Sequence, residues 1–123
     1  MNVFWAEEVP DDWEAVRDEL ERIFSLSRAA AQAEESFVFA VRNDDLLGRH
    51  GAGNAMVACG LLSAARTAAL EGVRKGWSVN VVAYEEGTDR DRVESWASRL
   101  LDSAGVTGEL VRIGAGHLGK ALP

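Results

Sequence analysis

Between Gly48 and Gly53 the chain reads Gly-Arg-His-Gly-Ala-Gly, and its residues capable of chemistry are densest there. A glycine-rich segment leading into a helix presents backbone N–H groups at the positive end of the helix dipole, where anions bind naturally. Arg49 and His50, with Arg42 nearby, would add positive charge. Arg49, His50, Gly51 and Gly53 therefore form a candidate loop for a small acidic ligand. The competing expectation is a connection whose glycines serve backbone geometry alone. A second run, Gly114-Ala115-Gly116-His117-Leu118-Gly119-Lys120-Ala121, fits both G-x-G-x-x-G and G-x-x-x-x-G-K. Both motifs need a helix starting at the last glycine to aim N–H groups at phosphate. Pro123 follows too closely for one, so a glycine-rich tail is the expectation.

Other reactive residues are sparse. Two histidines, His50 and His117, and one cysteine, Cys59, show no H-x-x-x-H or C-x-x-C spacing, so no metal site is expected from spacing. Asp44-Asp45 and Glu85-Glu86 read as solvated loop carboxylates rather than catalytic dyads. Cys59, between Ala58 and Gly60 in an apolar stretch, reads as a small buried hydrophobe. Spacing supports no Ser-His-Asp arrangement.

The elements that must position these residues follow from periodicity. Met1 to Ala6 is a short apolar run, compatible with a buried strand and broken by Pro10. Asp11 suits an N-cap, with Glu14 three residues on as in a capping box. From Asp12 to Ala33, Trp13, Val16, Leu20, Ile23, Phe24 and Ala31 fall at helical spacing. Ser36 to Val41 reads as a strand, and Asn43 to Gly53 as a loop. A second long helix is expected from Asn54 to Lys75, with Gly76 at its C-cap. A strand over Ser78–Ala83, a one-faced helix over Asp89–Ser103 and a last strand over Gly108–Ile113 complete the series. Such alternation predicts an α/β fold, about four parallel strands with three helices on both faces, joined by right-handed crossovers.

Composition bounds the function. The 123 residues suit a single domain, and 47% are hydrophobic, as in a folded globular protein. A formal charge of −7 disfavours nucleic acid and anionic membrane surfaces as partners. No uninterrupted apolar run reaches membrane-spanning length, and Met1–Pro10 lacks the zones of a signal peptide. One cysteine excludes an internal disulfide. A cytoplasmic setting is the expectation.

The stretch Gly51–Ala83, a long apolar helix followed by Lys75-Gly76 and a strand, resembles the segment of short-chain dehydrogenases/reductases that carries their catalytic Tyr-x-x-x-Lys. Asp11-Asp12-Trp13-Glu14 through Arg28-Ala29-Ala30 is similar to the family's fourth helix. Ser36–Val41 resembles the strand ending at its catalytic Ser. Arg66, Ala69, Leu70, Glu71, Gly76, Val79, Asn80 and Ala83 match its helix-then-R-V-N-x-V-A pattern. Val106-Thr107-Gly108 and Gly114-x-Gly116 resemble its late V-T-G…D-G-G stretch. The resemblance covers the family's C-terminal half and implies a truncated Rossmann-like fold, a single half domain over residues 1–123 without the dinucleotide-binding N-terminal part. At the Tyr and Lys positions stand Asn54 and Ala58, at the Ser position Val41 or Arg42, and at the catalytic Asn position Glu19 or Leu20. Hydride transfer needs a bound nicotinamide and an acid for the carbonyl oxygen. The resemblance thus implies no catalytic residues, no cofactor, and no enzyme activity for the isolated chain.

In that family the retained half also makes the quaternary contacts, its two long helices packing against those of a neighbour. The residues agree. Apolar side chains surround the helix from Asn54, and Gly60, Ala64 and Ala68 at spacing four allow close helix approach. Trp13, Leu20, Phe24, Met56, Gly60, Leu61 and Ala64 are the candidate contact residues or their supports. Val3, Phe4 and Trp5 would also form an apolar sheet edge needing cover. The expected function is a non-catalytic subunit that oligomerises with itself or with a full-length catalytic relative to stabilise or regulate an oxidoreductase. The alternative is a small-anion binder using Gly48–Gly53.

Overall fold

The structure, a computed structural model, describes residues 1–114; the motif running from Gly114 to Ala121, with His117, lies outside the described residues beyond its first glycine. Four parallel strands, β1 (Val3–Trp5), β2 (Phe37–Arg42), β3 (Val79–Tyr84) and β4 (Leu110–Ile113), form one sheet in sequential order. β2 and β3 lie in the middle and are apolar on both faces, as strands covered on both sides must be. Phe37, Phe39 and Val41, with Val79, Val81 and Ala83, face α1 (Trp13–Gln32) and α3 (Ala52–Val73). Val38, Ala40 and Val82 face α4 (Arg90–Leu101). Four strands with α1, α3 and α4 were expected. The loop Asn43–Gly53 holds one further element, the short α2 (Asn43–Leu46).

The crossovers do not all share one hand. β1–α1–β2 and β2–α3–β3 step across the sheet in one direction with their helices on one face. β3–α4–β4 continues that way with its helix on the other face, and so has the opposite hand. Three right-handed crossovers in this strand order would place all three helices on one face. In this strand order the expected right-handed connections and the expected two covered faces cannot both hold, and the structure keeps the two faces. Asn80 secures the unusual connection. Fully buried, its Nδ2 donates to the Val106 carbonyl at 2.9 Å, and its Oδ1 accepts from the Glu109 N–H at 3.0 Å.

Three local expectations are corrected. The N-cap of α1 is Asp12, whose carboxylate accepts from the Ala15 N–H, and not Asp11. Asp11 instead accepts from the Gly53 N–H at 2.7 Å, so it serves the first turn of α3. Cys59 is exposed, with its Sγ 3.7 Å from the Leu46 carbonyl oxygen. The stripe that α3 buries runs through Val57, Ala58, Leu61, Leu62, Ala65 and Ala69, which turns residue 59 outward. Gly76 takes φ +86° two residues beyond the α3 C-cap, Arg74. By length and composition α3 would also pass for a membrane span. That same stripe packs on the sheet, and a core helix passes the same test.

Candidate functional site

Open parallel sheets bind ligands beyond the carboxyl ends of their strands. Here three loops meet at that end: Ala6–Asp12 after β1, the segment from Asn43 to Gly51 after β2, and Glu85–Asp89 after β3. The first is bolted down by buried side chains. Glu19 of α1 accepts from the Glu7 N–H at 2.7 Å and from Arg22 Nε at 2.7 Å. Arg22 also donates to the Trp5 carbonyl at 2.7 Å, covering one outward-facing group of the β1 edge. Asn54 Oδ1 accepts from the Val9 N–H, and its Nδ2 donates to the His50 carbonyl, both at 2.8 Å.

Asn54 and Glu19, two of the positions that the resemblance sets against catalytic residues, thus make structural hydrogen bonds. Asn54 and Glu19 are both buried, as is Ala58. Arg42, at the end of β2, forms a bidentate pair with Asp45 at 2.8 and 3.0 Å and approaches Glu8 at 3.8 Å. The hydrogen bonds that Arg42 and Arg22 donate to Asp45 and Glu19 raise the pKa of these guanidiniums still further, against the opposing effect of burial.

The glycine-rich loop places its groups as follows. Gly53 donates its N–H to Asp11, Arg49 pairs with Asp44 Oδ1 at 3.0 Å, and Gly51 takes φ +90°. A side chain at Gly51 or Gly53 would crowd Asp11. His50 Nε2 lies 3.6 Å from Asp44 Oδ2 and 3.5 Å from Glu86 Oε2. Spacing did not join these three, since Asp44 and His50 share the loop after β2 while Glu86 comes from the loop after β3.

Across the sheet, Trp5 packs on Tyr84 with ring centroids 5.4 Å apart, and the Arg90 guanidinium sits 4.1 Å over the Trp5 ring. Burial pushes the Tyr84 phenol above its usual 10.0, with Asp45 adding to the shift and Arg42 and Arg90 opposing it. Tyr84 is the sole tyrosine of the chain, so absorbance reports its ionisation alone. Its midpoint should lie above 10.0. The unfolded chain then releases this proton first, so Tyr84 lowers stability as pH rises past about 10. A midpoint at or below that value would show that the arginines outweigh burial.

The helices α1 and α3 also expose Trp13 (66%) and Met56 (56%), beside Asp11 and Gly53 at this end, and Phe24 (64%), Leu70 (73%) and Val73 (63%) farther along. Gly60 and Ala64 are exposed beside them and Leu20 is half-buried. Leu61 is part of the core and supports this face from below. A groove of about 410 Å³ runs between the two helices, walled by Phe24, Ala31, Ala64 and Ala68 and floored by Phe37 and Phe39. A cleft of about 480 Å³ lies at the opposite end of the sheet, lined partly by Ser36, Ser78 and Thr107. There Ser36 Oγ accepts from the Ser78 N–H and Thr107 Oγ1 from the Val79 N–H, so the hydroxyls serve the strand ends.

No protein-family model matches the chain, and no curated protein matches it in sequence. Among solved structures it is similar to a 3-hydroxyacyl-CoA dehydrogenase type-2 from Mycobacterium avium. The TM-score is 0.72 at 16% identity, over 89% of this chain and 59% of that one. The likeness is one of fold: a Rossmann-like α/β arrangement shared with a dehydrogenase. The chain spans about three-fifths of the length of that structure.

Proposed function

We propose that this chain is a non-catalytic, short-chain-dehydrogenase-like subunit of the cytoplasm. It associates through the outer sides of α1 and α3 with itself or with a full-length catalytic relative, which it stabilises or regulates. One observation carries the reading: α1 and α3 leave the large apolar side chains Phe24, Met56 and Leu70 exposed, and Phe24 lines a groove between the two helices. Apolar area left in water forgoes roughly 25 cal/mol per Å², so such a face favours a partner. Ala64 and Ala68 beside the groove let another helix approach closely. The absence of catalysis is supported by the buried Asn54 and Glu19, hydrogen-bonded within the fold at positions that the resemblance sets against the family's reactive groups. The anion-loop alternative gains least from the geometry, because Asp11 and Asp44 already take the Gly53 N–H and Arg49.

The test is solution mass by light scattering, for the chain alone and co-expressed with a full-length dehydrogenase. Association is expected in one of the two, weakened at least about tenfold by Phe24→Glu or Leu70→Glu, since a charge at the centre of an apolar contact costs well over 1.4 kcal/mol. Both side chains are mostly solvent-exposed, so the fold should survive. A monomer under both conditions would overturn the reading.

A further inference from the structure

We propose that Asp44, His50 and Glu86 bind a first-row divalent cation of the zinc class at the carboxyl end of the sheet. One ligand atom from each lies within 4.8 Å of the others. Zinc bonds of about 2.0–2.1 Å to nitrogen and oxygen, at tetrahedral angles, set ligand atoms roughly 3.4 Å apart. His50 Nε2 stands 3.6 Å from Asp44 Oδ2 and 3.5 Å from Glu86 Oε2, so those two pairs already have the spacing, and an ion would draw together the two carboxylates, which lie within 4.8 Å of each other. One imidazole nitrogen with two carboxylate oxygens selects zinc, cobalt or nickel over magnesium and calcium, which favour all-oxygen sets.

The surroundings hold the ligands in place. Arg49 engages Asp44 Oδ1, leaving Oδ2 turned to His50; outer partners of this kind orient ligating carboxylates. The Arg49 N–H donates to the Asp44 carbonyl at 2.9 Å, fixing the loop between the first two ligands. Asn54 Nδ2 holds the His50 carbonyl, and the turn at Gly87 follows Glu86. The three side chains are 30%, 35% and 63% exposed for Asp44, His50 and Glu86, so solvent ions reach them and a fourth position stays open to water. The competing arrangement is a protonated His50 bridging two carboxylates with no ion.

The proposal is independent of the subunit reading. The test strips the full chain with chelator and titrates Zn²⁺ by calorimetry, with Co²⁺ absorbance as a probe of tetrahedral geometry. One ion per chain is expected, with a dissociation constant below about 10 µM. His50→Ala should weaken binding at least about a hundredfold, and Glu86→Gln about tenfold or more, with His117→Ala unchanged. Circular dichroism verifies that each variant is folded. Failure to saturate, binding unchanged in His50→Ala, or loss in His117→Ala instead would overturn the site.

Discussion

Gly72→Ala should destabilise the protein by about 3 kcal/mol, although alanine is the better helix former by about 1 kcal/mol. A Cβ at this position would stand 2.3 Å from the Trp77 carbonyl oxygen and 2.7 Å from a ring carbon of the same residue. Neither obstacle moves cheaply. The Trp77 backbone is tied down because its N–H donates to the Gly72 carbonyl at 3.1 Å, and the Gly76 N–H donates to the same carbonyl at 2.8 Å. The ring stacks on Phe37 at 6.0 Å, so displacing it disturbs the core beneath α3. Gly60→Ala is the internal control: its Cβ would meet only Leu20 Cδ2, at an ordinary 3.8 Å, so a gain of up to about 1 kcal/mol is expected. Denaturant midpoints of the two variants at dilute concentration should move in opposite directions. Gly72→Ala as stable as the parent would mean that the helix end and Trp77 are not in this contact.

Asn54→Leu should cost about 2–4 kcal/mol, because it removes one buried and one partly buried hydrogen bond and leaves the Val9 N–H and the His50 carbonyl without their partner. Leucine keeps asparagine's branched shape but is larger, so the loss reports lost polar satisfaction with some overpacking, and not a cavity. Asn54→Asp preserves the acceptor for Val9 but sets a carboxylate against the His50 carbonyl, and it should recover only part of the stability. The Val9 amide should exchange with solvent faster in Asn54→Leu than in the parent. Unchanged exchange and an unchanged denaturant midpoint would show that the loop after β1 is held by other groups. Asn54 stands where the resemblance places a catalytic Tyr, so a large stability cost here would also show what that position now does.

Part of this loop was legible in the sequence and part was not. Glu19 sits between Val16 and Ile23 on the stripe α1 buries, and a charged residue on a buried stripe signals a bonded partner. Nothing local named that partner as the Glu7 N–H, twelve residues back. Asp11 and Asp12 are adjacent, and either can begin a helix. Only the approach of α3, 42 residues later in the chain, decides that Asp11 serves Gly53. Cys59 was misplaced because α3 is apolar around most of its circumference, so its composition alone does not say which side meets the sheet.

The sequence by itself determined the class of the fold, the order of its strands and long helices, and the double-sided burial of β2 and β3, because periodicity and apolar runs are local properties of the chain. The third crossover's hand, the stripe α3 turns inward, and the meeting of Asp44, His50 and Glu86 were decided only in three dimensions. Each depends on which loops the sheet brings together, and the spacing of residues along a chain carries no record of that.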